Sequence, residues 1–328
     1  MLNLALLGCG RIGKVHARSA IALPDVRVAA VADAMPEAAD ALAASTGAAV
    51  MTPDAIFADA GIDAVVIGTP TTTHYDLIHQ AAQAGKAIFC EKPVDLSSER
   101  TRDCIAVVEA AGVPFLTAFN RRFDPNFSHL HARITAGDIG RVELVTILSR
   151  DPSPPPLDYV KSSGGLFRDM MVHDLDMARF LLGEEPTRVY AVGSSVVDPA
   201  IGEAGDVDTA AVTLSTASGA MCQISNSRRA TYGYDQRVEV HGEKGMLRAE
   251  NLFEHTVEFA GPAGYSTAPT LNFFLERYEA AYKAEMAHFA QAVSTGTAPS
   301  PTIHDGLKAQ LLADAATQSW QSGAPVDL

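Results

Sequence analysis

Three side chains in this sequence have the types that move protons and stabilise developing charge: Lys92, Asp169 and His173. A fixed ammonium such as that of Lys92 stabilises the negative charge that builds on an alcohol oxygen during oxidation. An imidazole, whose ordinary pKa lies near ~6.5, suits a general base that accepts the hydroxyl proton. Asp169 lies four residues before His173, so on one helix the two share a face and the carboxylate would orient the imidazole.

Each of these residues also has a purely structural interpretation. A lysine in a solvated loop is the usual case, and a surface Asp–His pair at this spacing contributes only roughly a few tenths of a kcal/mol. Asp176 falls on the same side of the predicted helix, seven residues after Asp169. The spacing of the pair leaves the choice open, so the surrounding elements have to decide it.

The segment Gly8-Cys9-Gly10-Arg11-Ile12-Gly13 fits the pattern G-x-G-x-x-G. It follows an apolar strand and opens a helix, the context in which this pattern indicates dinucleotide binding. Gly8 permits a tight turn, Gly10 lets a pyrophosphate approach the backbone, and Gly13 lets helix and strand pack closely. Arg11 and Ile12 open the helix, whose free N–H groups and positive dipole end are expected to face the phosphates.

Asp33 follows the second predicted strand, 20 residues after Gly13. A carboxylate at this place accepts hydrogen bonds from the adenosine ribose hydroxyls and repels a 2′-phosphate. We therefore expect NAD rather than NADP, with Arg11 as the side chain that could soften this preference. The alternative is an aspartate that caps the following helix.

Two more segments end strands at the same predicted sheet edge, where ligands bind in open α/β sheets. The first runs from Gly68 to His74 and supplies the candidate cofactor contacts Thr69, Pro70, Thr72 and His74. Ordinary helix capping by Thr73 is compatible with it, and His74 is either a cofactor neighbour or a first-turn helix residue. The second is Glu91-Lys92-Pro93. Its place at this edge favours a functional role for Lys92 and adds Glu91 to the cofactor contacts.

The order of elements predicts two domains. Non-alternating apolar runs and helical patterns take turns in the first third of the chain, which is typical of a parallel sheet covered on both faces. After about Asn120 the alternation of apolar runs and helical patterns ends. Beyond Pro186 apolar and polar residues alternate with period two, as in residues 237–241. Turn signals such as Ser218-Gly219 separate these runs, which indicates an antiparallel sheet with one wet face.

Composition excludes several classes of partner. Lys and Arg total 25 against 39 Asp and Glu, for a formal charge of −14. Such a surface repels phosphate backbones and anionic membranes, although the doublets Arg121-Arg122 and Arg228-Arg229 form local basic clusters. The four cysteines form no Cys-x-x-Cys pair, so neither a metal site nor dithiol chemistry is predicted. The chain shows no signal peptide and no apolar run of ~20 residues, so we expect a cytoplasmic protein.

At these motifs the sequence resembles the glucose–fructose oxidoreductase, inositol dehydrogenase and rhizopine-catabolism (Gfo/Idh/MocA) family. The resemblance extends over nearly the whole chain through the glycine loop, the Thr69-to-His74 segment, Glu91-Lys92-Pro93 and Asp169-x-x-x-His173. Two longer segments, residues 164–176 and 232–237, resemble the members of the family that act on inositol.

The resemblance implies a Rossmann domain over 1–119, joined by a C-terminal helix at about 303–328, and an α+β domain with an open, mostly antiparallel sheet over 120–302. It implies that this sheet forms a homotetramer or dimer interface. The family's Lys–Asp–His trio falls on Lys92, Asp169 and His173. The weaker carry-overs are Asn120 as a cofactor contact and Arg122, Asp151 and Tyr234 as substrate contacts.

The resulting hypothesis is NAD⁺-dependent oxidation of myo-inositol to its 2-keto form. An alternative is a dehydrogenase for another cyclitol or an aldose, for example scyllo-inositol or a pyranose. An alternative of another class is a non-catalytic NAD-sensing protein that keeps the fold, against which the presence of the trio argues.

Overall fold

The apolar runs at the start of the chain become a parallel sheet. The structure, a computed structural model, describes residues 1–328 and divides them into two compact units. The first unit comprises Met1–Phe123 and Ala280–Gln310, and the second comprises Asp124–Glu279 and Leu311–Leu328.

The first unit begins with five alternations of strand and helix followed by a sixth strand. Its strands and helices up to residue 117 are β1 Leu2–Leu7, α1 Arg11–Ile21, β2 Val26–Ala32, α2 Pro36–Thr46, β3 Ala49–Val50, α3 Pro53–Ala58, β4 Ala64–Ile67, α4 His74–Gln83, β5 Ala87–Cys90, α5 Ser98–Ala111 and β6 Phe115–Thr117. The strand order is β3-β2-β1-β4-β5-β6, and every neighbouring pair is parallel.

All four residues of β4 and of β5 are buried, because helices cover both faces of the sheet. One core contains Leu4, Leu6 and Phe89, and the core on the other face contains Ala5, Leu7 and Ile88. The predicted Rossmann sheet is therefore confirmed.

The second unit contains a larger sheet. Its elements up to residue 277 are α6 Pro125–Thr135, β7 Val142–Arg150, α7 Leu157–Ser163, α8 Gly165–Asp169, α9 Val172–Leu182, β8 Pro186–Ser194, α10 Pro199–Glu203, β9 Thr209–Thr216, β10 Met221–Ser227, β11 Asp235–Gly242, β12 Gly245–Ala249, β13 Glu258–Gly261, β14 Gly264–Thr267 and α11 Phe274–Arg277. The last part of the chain adds α12 Glu279–Thr295, α13 Ile303–Ser322 and β15 Val326–Asp327.

The seven strands of this sheet follow the order β12-β11-β7-β10-β9-β8-β15. Along β9 and β10 buried and more exposed residues alternate, as expected for a sheet packed on one face. The prediction of a mostly antiparallel sheet is confirmed. The exception is the parallel pair β7–β10, which the long connection through helices α7–α10 and strands β8 and β9 makes possible.

The last part of the chain is divided between the two units at other residues than the sequence predicted. We expected the C-terminal helix from about 303 to 328 to join the first domain as a whole. Instead Ala280–Gln310 belongs to the first unit, where Met286 and Phe289 of α12 complete its core. Leu311–Leu328 belongs to the second unit, because β15 pairs with β8 at the sheet edge. No helix combines the length and apolar composition needed to cross a membrane.

Candidate active site

The glycine loop is shaped by close backbone approaches. Gly8 has φ +100°, and a Cβ at this position would lie 2.6 Å from the carbonyl of Gly68. A Cβ at Gly13 would lie 2.0 Å from the carbonyl oxygen of Gly8. A Cβ at Gly10 would instead meet no atom within 4 Å. Gly8 and Gly13 are thus required by the protein's own packing, whereas Gly10 leaves open space beside the backbone.

Helix α1 begins with neither a side-chain cap nor an acidic residue in its first turn. Its N-cap is Gly10. In α5, by contrast, Ser97 accepts a hydrogen bond from the backbone N–H of Arg100. An uncapped N-terminus beside a side-chain-free residue fits an anionic pyrophosphate. Arg11 is exposed and Ile12 is half-buried at this end of the helix.

Asp33 ties the glycine loop to the end of β2. Its Oδ2 accepts a hydrogen bond from the backbone N–H of Cys9 at 2.6 Å, and its Oδ1 accepts one from Met35 at 2.8 Å. Met35, not Asp33, is the N-cap of α2. Burial, together with the charge of Asp33, raises the pKa of the Cys9 thiol to about 11, so this cysteine stays protonated. The ribose contact of Asp33 remains a prediction.

The segment after β4 is held by its own side chains. Three of its predicted cofactor contacts, Thr69, Pro70 and Thr72, lie in the loop, and Pro70 and Thr72 are exposed. The fourth, His74, is the first residue of α4. The Thr73 hydroxyl lies 2.8 Å from the carbonyl oxygen of Pro70 and does not cap α4. The ring of His74 is buried, with one nitrogen near the carbonyl oxygen of Thr69 and the other near that of Pro93.

The Glu91-Lys92-Pro93 turn follows β5, and the peptide bond between Lys92 and Pro93 is cis. Glu91 Oε1 lies 2.7 Å from Nε2 of the buried His16 on α1. Glu91 Oε2 accepts a hydrogen bond from the backbone N–H of Lys92 at 3.3 Å. Lys92 is half-buried directly beyond the end of the strand. This glutamate therefore fixes the turn that carries the lysine, through a contact with the helix of the glycine loop.

Two further predicted contacts belong to the first unit. Asn120 and Arg122 lie in a short 3-10 turn, Asn120–Phe123, and Asn120 is buried. The guanidinium of Arg122 donates to Asp305 Oδ1 at 3.1 Å. Their roles toward cofactor and substrate remain predictions.

Asp169 and His173 do not lie on one helix, which corrects the expectation that one helix carries both residues. Helix α8 ends at Asp169 and α9 begins at Val172. The backbone N–H groups of Met170 and Met171 both donate to the carbonyl of Leu166, so the regular i to i+4 ladder is interrupted. The four-residue spacing therefore does not correspond to one helical turn.

Asp169 has two partners that lie outside its own helix and belong to the second unit. Its Oδ1 accepts a hydrogen bond from the Tyr159 hydroxyl at 2.9 Å, and its Oδ2 lies 3.5 Å from the guanidinium of Arg228. The side chain of Arg228 is 2% exposed. The Arg228-Arg229 doublet was visible in the sequence, but nothing in its spacing relates it to Asp169. Asp176, which the helical spacing placed beside the pair, contacts Arg179.

A buried polar network holds the beginning of α9, next to His173. The side-chain amide of Asn226 donates to Asp174 Oδ2 at 2.8 Å and to the carbonyl of Ser149 at 3.3 Å. Gln236 donates to the Ser149 hydroxyl at 2.8 Å. All four side chains are buried. They anchor the residue after His173 to strands β7, β10 and β11. The sequence signal is a polar residue where strand alternation calls for an apolar one, as at Asn226 after Cys222 and Ile224.

The remaining predicted substrate contacts also lie in the second unit. Asp151 follows β7, and its backbone N–H donates to the carbonyl of Ser227. Tyr234 is buried and packs edge-to-face with Phe273 and Tyr278. The first unit thus brings together the glycine loop, Asp33 and the segments after β4 and β5, and the second contains Asp169, His173, Asp151 and Tyr234.

Comparisons with known proteins agree with this arrangement. Residues 2–119 match the oxidoreductase family with an NAD-binding Rossmann fold, and residues 127–248 match the Gfo/Idh/MocA C-terminal domain. An inositol 2-dehydrogenase of Rhizobium meliloti is 55% identical over 318 residues, 97% of this chain and 96% of that protein.

Solved structures show the same fold. A myo-inositol dehydrogenase from Corynebacterium glutamicum has a TM-score of 0.97 at 45% identity, covering 100% of this chain and 99% of that one. A scyllo-inositol dehydrogenase from Lactobacillus casei, with bound NAD(H) and scyllo-inositol, has a TM-score of 0.93 at 29% identity over 100% and 99% of the chains. The chain belongs to the Gfo/Idh/MocA family and is an NAD-dependent oxidoreductase.

Proposed function

We propose that the protein oxidises myo-inositol at one ring carbon to the 2-keto compound, with NAD⁺ as the hydride acceptor. The observation that carries the proposal is the sheet edge of the first unit. Strands β1, β4 and β5 are neighbours, and their carboxyl ends lead into the glycine loop, the Thr69 segment and Lys92. The glycine loop and Lys92 thus follow neighbouring strands, which supports a dinucleotide site with a cation beside it. The substrate follows from the 55% identical inositol 2-dehydrogenase.

The first unit supplies the residues that would hold the dinucleotide. The open space at Gly10 and the uncapped start of α1 would accept the pyrophosphate, and Asp33 would accept hydrogen bonds from the ribose. When bound, NAD⁺ supplies the carbon that receives the hydride from the substrate. A 2′-phosphate would meet the negative charge of Asp33, so NAD is preferred over NADP.

The chain's own residues move the proton. A ring nitrogen of His173 accepts the proton of the reacting hydroxyl, while the ammonium of Lys92 stabilises the alkoxide charge that develops on the same oxygen. Loss of the proton from oxygen and of the hydride from carbon leaves a C=O double bond. Asp169 orients His173 or a neighbouring substrate hydroxyl. Its contacts with Tyr159 and Arg228 support an ordered carboxylate for this role.

The polyol ring presents several hydroxyl groups, and charged or polar side chains would select among them. We assign Arg122, Asp151 and Tyr234 as further substrate contacts. The half-buried guanidinium of Arg122 supports this assignment.

A second candidate substrate is scyllo-inositol, because the Lactobacillus casei relative has that compound bound. Ring polyols and pyranoses present similar hydroxyl edges, so the test is NADH formation over a panel of inositol stereoisomers and aldoses. Faster turnover of myo-inositol than of the others is the expected result. No activity with myo-inositol would overturn the first choice.

A non-catalytic NAD sensor is the competing function of another class. A sensor has no need of Lys92 and His173, which argues against it. Tight NADH binding without turnover of any polyol in the panel would favour it.

We also propose that the protein is a cytoplasmic homotetramer, or a dimer, assembled through the second unit's sheet. Large apolar side chains on its strands are exposed, including Tyr190, Val192, Met221 and Met246. Exposed large apolar side chains on several strands of one sheet support an interface at this sheet. All four cysteines are free thiols, which fits a reducing compartment. Light scattering on the purified protein tests the assembly, and a monomer at micromolar concentration would contradict it.

A further inference from the structure

His74 occupies an unusual position for a first-turn helix residue. It is 1% exposed, and both ring nitrogens face backbone carbonyl oxygens of its own unit. Nδ1 lies 3.0 Å from the oxygen of Pro93, and Nε2 lies 2.9 Å from the oxygen of Thr69. Carbonyl oxygens only accept hydrogen bonds, so each contact requires a proton on the facing ring nitrogen.

The two carbonyls belong to the two loops at the cofactor edge. Thr69 lies in the segment after β4, and Pro93 closes the turn after β5 that contains Lys92. The two strands are parallel neighbours, with Ile67 paired to Cys90 at their carboxyl ends. The His74 ring therefore bridges the loop expected to contact the dinucleotide and the turn that carries the cation.

A neutral imidazole carries one N–H, so it can bond only one of the two loops at a time, and both bonds form together only on the imidazolium. Burial lowers the pKa of His74, while the hydrogen bonds to Thr69 and Pro93 and the charges of Glu91 and Asp95 oppose this effect.

The other titratable group beside the ring is the Cys90 thiol, whose Sγ lies 3.7 Å from Nδ1. Burial, and then the charge of Glu91, raises the pKa of this thiol, so it stays neutral and adds no charge. The two carbonyl oxygens and the two carboxylates are therefore the groups that decide where the ring protons reside.

We propose that His74 is a positioning residue that holds the cofactor-side loop through Thr69 and the Lys92 turn through Pro93. The two tautomers of the neutral ring make these hydrogen bonds one at a time and the imidazolium makes both, so binding of NAD⁺ and placement of Lys92 depend on separable bonds of one side chain. The second half of this inference rests on the proposed function, because that function assigns Lys92 its role in turnover.

Two conservative variants separate the bonds. The amide nitrogen of an asparagine takes the place of Nδ1, so His74→Asn can keep the bond to Pro93 and loses the bond to Thr69. The amide nitrogen of a glutamine takes the place of Nε2, so His74→Gln keeps the bond to Thr69 and loses the bond to Pro93. Each variant in the full-length protein is assayed for kcat, for KM of NAD⁺ and for Kd of NADH.

We expect His74→Asn to raise KM for NAD⁺ about threefold to tenfold, the cost of one hydrogen bond, with a smaller change in kcat. We expect His74→Gln to lower kcat by about 10-fold to 100-fold, because a displacement of about 1 Å in a catalytic group is this costly. Its KM for NAD⁺ should stay near the wild-type value. His79→Gln is the matched control: this histidine lies on the same helix and contacts Tyr75 and Asp103.

Parallel changes of kcat and KM in both variants, or wild-type kinetics in both, would overturn the inference. If the variants fail to fold, nitrogen-15 spectra of the wild-type histidines decide. A His74 ring N–H protected from solvent exchange supports the inference, and a ring whose protons exchange like those of an exposed imidazole refutes it. If the wild type oxidises no polyol, the proposed function fails, and the split in NADH affinity and the nitrogen-15 spectra still test His74.

Discussion

The two units position their candidate functional groups in opposite ways, one through the backbone and the other through side chains. In the first, the site is largely backbone: Gly10 leaves open space, and α1 starts with no side chain on its N–H groups. In the second, side chains do the positioning, since Asn226 reaches Asp174 beside His173 through the buried interior. A bound phosphate needs room and N–H donors, whereas a proton acceptor needs a fixed side chain.

The units also treat buried charge differently. In the second unit the Arg277 guanidinium pairs with the Asp124 carboxylate, and both are almost fully buried. In the first unit Glu285 is fully buried, and neither of its oxygens has a hydrogen-bond partner. A paired buried charge is costly to disrupt, whereas a lone one avoids the cost by staying protonated. The difference predicts opposite outcomes for similar substitutions.

The largest effect is expected at the proposed proton acceptor. Replacing His173 with alanine should lower kcat by about 10²–10⁴-fold, the usual contribution of a positioned base. Steady-state NADH formation with saturating NAD⁺ measures it. The matched control is His129→Ala, which removes an exposed histidine of the same unit. Turnover within twofold of wild type in the His173 variant would show that another group takes the proton.

The next effect concerns the buried ion pair. Asp124→Asn keeps an oxygen that can still cap α6 but leaves Arg277 as an uncompensated buried charge, which should cost about 3–5 kcal/mol of unfolding free energy. Urea unfolding measures this loss. The control is Asp138→Asn in the exposed pair with Arg133, where about 0–1 kcal/mol is expected. Equal losses in the two variants would contradict the contrast.

The backbone site of the first unit predicts a binding effect without a stability effect. Because nothing lies near a Cβ at Gly10, Gly10→Ala should fold with an unchanged Tm and weaken NADH binding by about tenfold or more. Gly13→Ala should lower both Tm and affinity, since its Cβ would collide with the carbonyl of Gly8. Titration of NADH fluorescence and calorimetry measure the pair. Unaltered affinity in Gly10→Ala would place the pyrophosphate elsewhere.

The smallest effect is a gain. Burial, and then the charge of Glu91, raises the pKa of Glu285 well above its ordinary value. Above the unfolded pKa the unfolded chain ionises while the folded protein stays protonated, so stability is lost as pH rises toward the folded pKa. The substituted side chain of the Glu285→Gln variant cannot ionise, so the variant should have a higher Tm than the wild type at pH 8. The expected rise is about 2–4 °C for each kcal/mol of unfolding free energy gained. Near pH 4 the two should melt together. A lower Tm for the variant at pH 8 would indicate a charged, paired Glu285.

The glycine loop and the strand and helix on either side of it could be predicted from the sequence because their determinants are contiguous. Gly8, Gly10 and Gly13 lie within six residues and act on one loop and one helix. The Asn226–Asp174 contact could not be predicted, because these residues lie 52 positions apart and meet only through sheet packing. The break at Met170–Met171 was also missed. Both residues favour a helix, and the interruption depends on a shared backbone acceptor at Leu166.

The last part of the chain has a consequence for how the protein is made. Domains commonly fold in order as they emerge during synthesis. Here the Rossmann core lacks Met286 and Phe289 until residues beyond 280 have been translated, and β8 lacks its edge partner until Val326–Asp327 follows. Neither unit can reach its final form while the chain is still short. Strands β4 and β5 are synthesised early, so part of their apolar surface stays uncovered until α12 has been translated. Exposed apolar surface of this kind is what chaperones bind on a nascent chain.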